Sequence, residues 1–177
     1  MILGAVLAGG QSTRFGSDKA LAQLSGQSLL ARAVQSLDAQ CDAVVVIGRD
    51  AAPAPTIPDW PRPGMGPLGG IAAALRHAQA NGYDAVMTCA VDSVGLGPEA
   101  LAQLSPPPAY CESQPVIGLW PVSAAGALQT LITGEGKHSM RRFAEMIGAR
   151  AVQLSAIPAN INTPADLTAA EERHHGL

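Results

Sequence analysis

The stretch LAGGQSTRFGSDKA, Leu7 to Ala20, places three glycines, an arginine and a lysine directly after an apolar run. Gly9 and Gly10 let the backbone approach a ligand with no Cβ in the way. Successive N–H groups in such a turn form an anion nest. Arg14 offers a planar fork and Lys19 a movable point charge, and both suit phosphate. Together these residues could hold a polyphosphate. The spacing is neither GxxxxGK[ST] nor GxGxxG, so the mechanics of those loops do not transfer. A carboxylate, Asp92, follows another apolar run, the third of its kind, in MTCAVDSVGL. At that place it could hold a divalent cation between phosphates.

Such residues need elements to aim them. Ile2 to Leu7 and Ala43 to Ile47 read as buried strands, and Ala85 to Ala90 as a third. Leu29 to Leu37 has helical spacing. The connection AAPAPTIPDWPRPGMGP is too rich in proline for a helix or a central strand. Pro67 to Asn81 reads as a helix, with proline near its start and Gly82 past its end. Pro98 to Leu104 reads as a short helix, PPPAY as a turn, and QPVIGLWPV as a strand. Ala124 to Thr133 and Ser139 to Ile147 read as helices, and Ala151 to Leu154 as a strand. A helix from Thr163 to His174 has Thr163 as N-cap and Pro164 at its first position. Strands alternating with helices predict an α/β fold, a three-layer α/β/α sandwich with a Rossmann-like, mostly parallel sheet, as one domain over residues 1–177. Ligands in such sheets bind beyond the carboxyl ends of the strands, which is where the Gly9–Gly10 loop falls.

Composition narrows the partners. The chain has 177 residues, 47% of them hydrophobic and 14% charged, with a net charge of -3. There is no basic field for nucleic acid and no polybasic membrane patch. No apolar run approaches the roughly 20 residues of a membrane span. MILGAVLAGG lacks the basic start of a signal peptide. Cys41, Cys89 and Cys111 have neither CxxC nor zinc spacing and read as reduced, mostly buried thiols of a cytoplasmic protein.

The segment LAGGQSTRFGSDKALAQLSGQSLLARAV resembles the nucleotidyltransferase signature of the molybdenum cofactor guanylyltransferase family. The matching positions are Leu7, Ala8, Gly9, Gly10, Arg14, Phe15, Gly16, Asp18, Lys19 and Gly26. GPLGGI, from Gly66, and NINTPADL, from Asn160, resemble two later motifs of that family, in the right order. The resemblance implies the nucleotidyltransferase form of the three-layer fold. It also implies transfer of GMP from GTP to the terminal phosphate of molybdenum-carrying molybdopterin, with Mg²⁺ required and pyrophosphate released. Proteins that deliver molybdopterin, and molybdoenzymes or their chaperones, would be partners.

Carried over residue by residue, the resemblance makes Lys19, Arg14 and Asp92 catalytic and Asp92 the metal ligand. The nucleotide would meet Leu7, Ala8, Gly9, Gly10, Lys19, Asp59, Gly66 and Asp92. Asp59 could accept hydrogen bonds from guanine N1–H and N2–H₂, a pattern that cytosine and adenine cannot match. Asn160 and Asn162 would face the molybdopterin. GKHSMRR, Gly136 to Arg142, is either a source of positive charge for the acceptor's phosphate or a solvated helix face. Trp60 and Trp120 read as packing residues, with Trp60 also a candidate wall of the base pocket.

Two departures stand out. The family usually has Pro-Cys-Asp-x-Pro around the acid, where this chain has Ala90-Val91-Asp92-Ser93-Val94, so the expected frame of Asp92 is altered. The family often has Asn at the end of the second strand, where this chain has Ile47 or Gly48. Two rival functions remain open. A cytidylyltransferase of the same pathway tends to have alanine in place of Gly9, so LAGG favours GTP over CTP. A nucleotide-binding module without catalysis would have no need of a metal carboxylate beside Arg14 and Lys19.

Overall fold

The computed structural model describes residues 1–10 and 18–175. Arg14, Phe15 and Gly16 lie outside the described residues. Strand β1 (Ile2–Leu7) enters the centre of the sheet and leads to a short 3₁₀ turn, Lys19–Leu21. A small hairpin follows, β2 (Gln23–Leu24) and β3 (Gln27–Ser28), turning at Ser25 and Gly26 with positive φ at both. Helix α1 (Leu29–Asp38) is capped by Ser28, whose hydroxyl accepts from the Ala31 N–H at 3.1 Å. Then come β4 (Ala43–Ile47), β5 (Thr56–Ile57), α2 (Gly66–Ala80), β6 (Ala85–Ala90) and β7 (Ser93–Val94). The second half holds α3 (Ala100–Leu104), β8 (Ala109–Cys111), β9 (Gly118–Pro121), α4 (Ala125–Thr133), α5 (Met140–Ile147), β10 (Arg150–Val152), β11 (Ala159–Asn160) and α6 (Pro164–His175).

The seven-stranded sheet has the order β10-β8-β9-β6-β1-β4-β5. Only β9 runs against its neighbours; the other pairs in this sheet are parallel. The strands are apolar on both faces because both are covered. Val6, Val44, Val46, Met87 and Cys89 pack toward α1 and α3. Leu3, Ala5, Val45, Ile47 and Val86 pack toward α2, α4 and α5. This alternation along single strands makes the three layers that the sequence predicts. Small residues bring the layers close. Gly4 faces α1, where an added Cβ would lie 3.1 Å from the Leu37 Cβ, and α2 buries Gly69, Gly70, Ala72, Ala73 and Ala74.

Most expected elements stand within two residues of their predicted bounds. The exceptions are short. QPVIGLWPV is a strand only at Gly118–Pro121; its first residues turn, with the Ile117 N–H donating to the Gln114 carbonyl at 2.9 Å. PPPAY is not only a turn: Ala109 and Tyr110 begin β8, which β9 recruits by antiparallel pairing. The hairpin β2–β3 and the β7–β11 pair are two residues long, too short for a periodic signal. The last helix has the expected start. The Thr163 hydroxyl accepts from the Asp166 N–H at 3.2 Å, and the Asp166 carboxylate accepts from the N–H groups of Asn162 and Thr163 at 2.9 Å each. Among the described residues no helix is long and apolar enough to cross a membrane. Cys41, Cys89 and Cys111 are free, and burial pushes the thiols of Cys41 and Cys89 up to about 12.

Trp120 is fully buried against Phe143, and its indole N–H donates to the Thr88 hydroxyl at 2.9 Å. That hydroxyl donates in turn to the Val116 carbonyl at 2.6 Å. Thr88→Val keeps the shape but leaves the indole N–H buried and unpaired. It should lower unfolding stability by about 1–3 kcal/mol, measured by chemical denaturation.

Candidate functional site

Strand register assembles the site. Leu7 pairs with Ile47 on one side and Ala90 on the other. The loops beginning at Ala8, Gly48 and Val91 therefore leave the sheet at one level. The pairing runs one step further, with the Ala8 N–H donating to the Ile47 carbonyl at 2.9 Å. Gly48 then meets Gly9 so closely that a Cβ on it would lie 2.7 Å from the Gly9 Cα. Gly48 also has φ +87°, which favours glycine. An asparagine at Gly48 would not fit this approach.

A cavity of about 480 Å³ opens above these ends, lined by Leu7, Gly9, Gly10, Ile47, Asp59, Gly66, Asp92 and Asn160, with Ser113 to Val116 on another wall. A smaller cleft of about 130 Å³ shares Leu7, Gly9, Gly10 and Asp92 with it and adds Ala8, Asp18 and Lys19. Lys19 Nζ lies 3.0 Å from Asp92 Oδ2, each side chain about one-fifth exposed at 18% and 19%. Two groups 73 residues apart thus share one point beside the glycine turn.

Asp59 sits half-buried at the other end of that turn. Cβ atoms added to Gly9 and Gly48 would lie 3.0 and 3.1 Å from its Oδ2. Its carboxylate has no hydrogen-bond donor among the described residues, and burial pushes its pKa above the usual carboxylate value. Gly66 and Pro67 bring the start of α2 to the same cavity, with no side-chain cap at that helix among the described residues. Its first N–H groups remain available to an anion or a sugar.

The altered frame of Asp92 is held by hydrogen bonds. The Asp92 carbonyl accepts from the N–H groups of Val94 at 3.1 Å and Ile161 at 3.0 Å. A proline at 94 would have no such donor. The Ser93 hydroxyl donates to the Gln114 amide oxygen at 3.1 Å, and the Gln114 amide N–H donates to the Pro158 carbonyl at 2.6 Å. Gln114 thereby ties three segments together behind the acid. The sequence offered no signal for this clasp, because its members are a lone amide, a lone hydroxyl and backbone.

Other expected residues are not brought in. Asn162 is absent from the lining of both cavities; its N–H serves the start of α6 instead. Lys137, Arg141 and Arg142 line a separate depression beside α4 and α5, so GKHSMRR does not reach this cavity. Trp60 does not line it either; it packs toward α2 with the Arg76 guanidinium 4.6 Å above its ring. Arg49, which no motif marked, pairs with Asp18. Its two terminal nitrogens donate to the two carboxylate oxygens at 3.0 and 2.8 Å. This pairing holds the Asp18 carboxyl below its usual range.

The family model of the MobA-like NTP transferase domain matches residues 4–153. The chain belongs to this family. The MobA-like match takes in β1 from Gly4 onward, the lysine turn, the Asp59 loop and Asp92. The chain is similar to a molybdenum cofactor guanylyltransferase of Acidiphilium cryptum, at 37% identity over 94% of this chain and 92% of that protein. A protein of the same description from Rhodobacter capsulatus is 36% identical, over 97% of this chain and 96% of its own length. Among solved structures, the molybdopterin-guanine dinucleotide biosynthesis protein A of Archaeoglobus fulgidus superposes with a TM-score of 0.71 at 25% identity, covering 99% of this chain and 100% of that one. The nucleotidyltransferase fold and enzyme class read from the sequence hold.

Gly48→Ala should force Gly9 away from Asp59, because the clash is with backbone and the φ is strained. The expected loss is about 1–3 kcal/mol of unfolding stability. Gly126→Ala in α4, where a Cβ meets nothing within 4 Å, is the control and should be neutral or stabilising. Denaturant titration of both variants checks the pair.

Proposed function

We propose that this chain transfers GMP from GTP to the terminal phosphate of molybdenum-carrying molybdopterin. The observation that carries the reading is the meeting of Lys19, Asp92, the Gly9–Gly10 turn and Asp59 at the ends of three adjacent strands. The guanylyltransferase descriptions of the relatives support the choice of nucleotide and acceptor.

The base lies toward Asp59. A carboxylate with no donor among the described residues matches the adjacent N1–H and N2–H₂ of guanine, whereas cytosine and adenine each offer an acceptor beside a donor. Gly9 serves this arrangement, since a Cβ there would crowd the Asp59 oxygen at 3.0 Å. The triphosphate lies along the Gly9–Gly10 turn, with Lys19 and, on sequence grounds, Arg14 as its cationic ligands.

Asp92 would hold the metal. Among the described residues no cluster of three or more potential ligands surrounds it. That fits Mg²⁺, which is ordinarily held by one or two carboxylates with phosphate oxygens and water completing the shell. Bound there, the cation would neutralise charge on the phosphates and orient the α-phosphorus. Lys19 exchanges its Asp92 partner for phosphate oxygens and offsets charge on the leaving pyrophosphate. Asn160 and the Ser113–Val116 wall receive the acceptor. An oxygen of the acceptor's terminal phosphate attacks the α-phosphorus in line. The new P–O bond forms as the bond to the bridging oxygen breaks, and pyrophosphate leaves with that electron pair. Proteins that deliver the acceptor or take up the product complete this reading.

A panel of GTP, CTP and ATP with Mg²⁺ should show GTP binding tightest, and pyrophosphate should appear only when the molybdopterin acceptor is added. Tighter CTP binding would make the enzyme a cytidylyltransferase, and GTP binding without turnover would leave a nucleotide-binding module. Lys19→Ala should lower kcat/KM by about ten- to a hundredfold, the cost of a lost charged contact. Asp92→Asn should raise the Mg²⁺ concentration needed for half-maximal rate and leave the fold intact.

Asp59→Asn should weaken GTP binding about ten- to a hundredfold while leaving the free protein as stable or more so, because burial disfavours the charge. The pH sign follows. Guanine needs the carboxylate, and its folded pKa lies above 3.8. GTP affinity is full above that raised pKa and is lost as pH falls through it, at a higher pH than for an ordinary aspartate. Titrating GTP dissociation constants against pH in wild type and Asp59→Asn tests this, since the variant should lose that step.

A further inference from the structure

We propose that the Arg49–Asp18 ion pair is the positioning device for Lys19. It locks the turn that carries the lysine to the end of β4. This inference rests on the reading of Lys19 as a ligand of the nucleotide's phosphates.

Arg49 leaves the sheet at a rigid point. Gly48 before it is pressed against Gly9, and its N–H donates to the Ile57 carbonyl at 2.9 Å. From there the guanidinium reaches Asp18 in a two-pronged fork at 2.8 and 3.0 Å. The same carboxylate caps the 3₁₀ turn, its Oδ1 accepting from the Ala20 N–H at 3.2 Å. Asp18 is therefore held from two directions. Lys19 is the next residue, and its neighbour Ala20 is buried at 3% exposure. The turn then closes through the N–H groups of Leu21 and Ala22, which donate to the carbonyls of Asp18 and Lys19 at 3.1 Å each. With its backbone fixed at both ends, Lys19 reaches Asp92 at 3.0 Å.

Arg49 lines neither cavity of the site, so it acts through Asp18 rather than on the ligand. The Asp18 side chain is 45% exposed, and partly exposed ion pairs contribute little to global stability. A planar bidentate fork nevertheless restricts orientation as a single-point contact does not. The pair is thus built for geometry. Its loss should show in phosphate handling before it shows in melting temperature. Lysine in place of Arg49 would keep the charge and lose the fork.

The test compares wild type with Asp18→Asn, Arg49→Ala, Arg49→Lys, Lys19→Ala and the double variant Asp18→Asn/Lys19→Ala. Asparagine at 18 retains an oxygen for the cap and removes the ion pair. The readouts are GTP dissociation constants by calorimetry, kcat and KM for GTP and for the acceptor, and melting temperature. Asp18→Asn and Arg49→Ala should each weaken kcat/KM for GTP about tenfold, since small displacements of a positioned group carry large rate costs. The acceptor KM and the melting temperature should stay near wild type, and Arg49→Lys should recover only part of the loss. In the Lys19→Ala background Asp18→Asn should cost nothing further, because there is no lysine left to place.

Unchanged GTP parameters in Asp18→Asn would overturn the proposal. So would a full extra loss in the double variant, or a loss confined to Arg49→Ala, which would make Arg49 a ligand in its own right. Should Arg49→Ala not fold, the Asp18→Asn pair of measurements decides alone. A wild-type protein that binds no GTP would instead refute the nucleotide reading itself, before any variant is considered.

Discussion

The close contact between Gly9 and Gly48 is the constraint on which the site depends. Two chain segments leave adjacent parallel strands at the same register and approach with no side chain between them. This brings the Asp59 carboxylate against both glycines and leaves the Gly9–Gly10 backbone facing the cavity. A Cβ on either glycine would compete with that carboxylate for space. The same contact makes β4 a firm base for Arg49, and so for the turn that carries Lys19. One packing condition thus bears on Asp59 and on the turn of Lys19 together.

Around this point the chain places charge sparingly. The net charge is -3, so no broad positive field draws an anion in. On the proposed function attraction is local instead, through the glycine turn, the lysine and the start of α2. Lys19 neutralises Asp92, which spares the cleft a lone charge on either side. Asp59 remains without such a partner among the described residues, and its raised pKa reflects that cost. On the proposed function, this half-buried carboxylate without donors among the described residues is costly before guanine binds and favourable once its two donors arrive.

Asp92 shows how a loop can keep its shape after its proline frame is gone. Proline would narrow the backbone's choices before folding. Here Ser93 and Val94 are ordinary residues, and the restraint comes from Gln114, the Ile161 N–H and the short β7–β11 pair. The cavity wall at Gln114 and Asn160 is therefore mechanically continuous with the acid.

The sequence by itself determined the layers, the strand–helix alternation and the residues at the first strand's end. These depend on local periodicity and on loop residues whose chemistry is visible one at a time, such as Gly9, Gly10 and Lys19. It also marked Asp92, which follows a legible strand, while Asp59 came only from the family resemblance. Tertiary structure alone decided the rest. It set Lys19 against Asp92, joined Arg49 to Asp18, made Gln114 a clasp, admitted Asn160 to the cavity and turned Asn162 to the cap of α6. It also moved Lys137, Arg141 and Arg142 to another face. All of these depend on register and crossover between segments distant in the chain. A one-residue change in where Leu7 meets Ile47 and Ala90 would redirect every loop above them, and no local pattern records that choice.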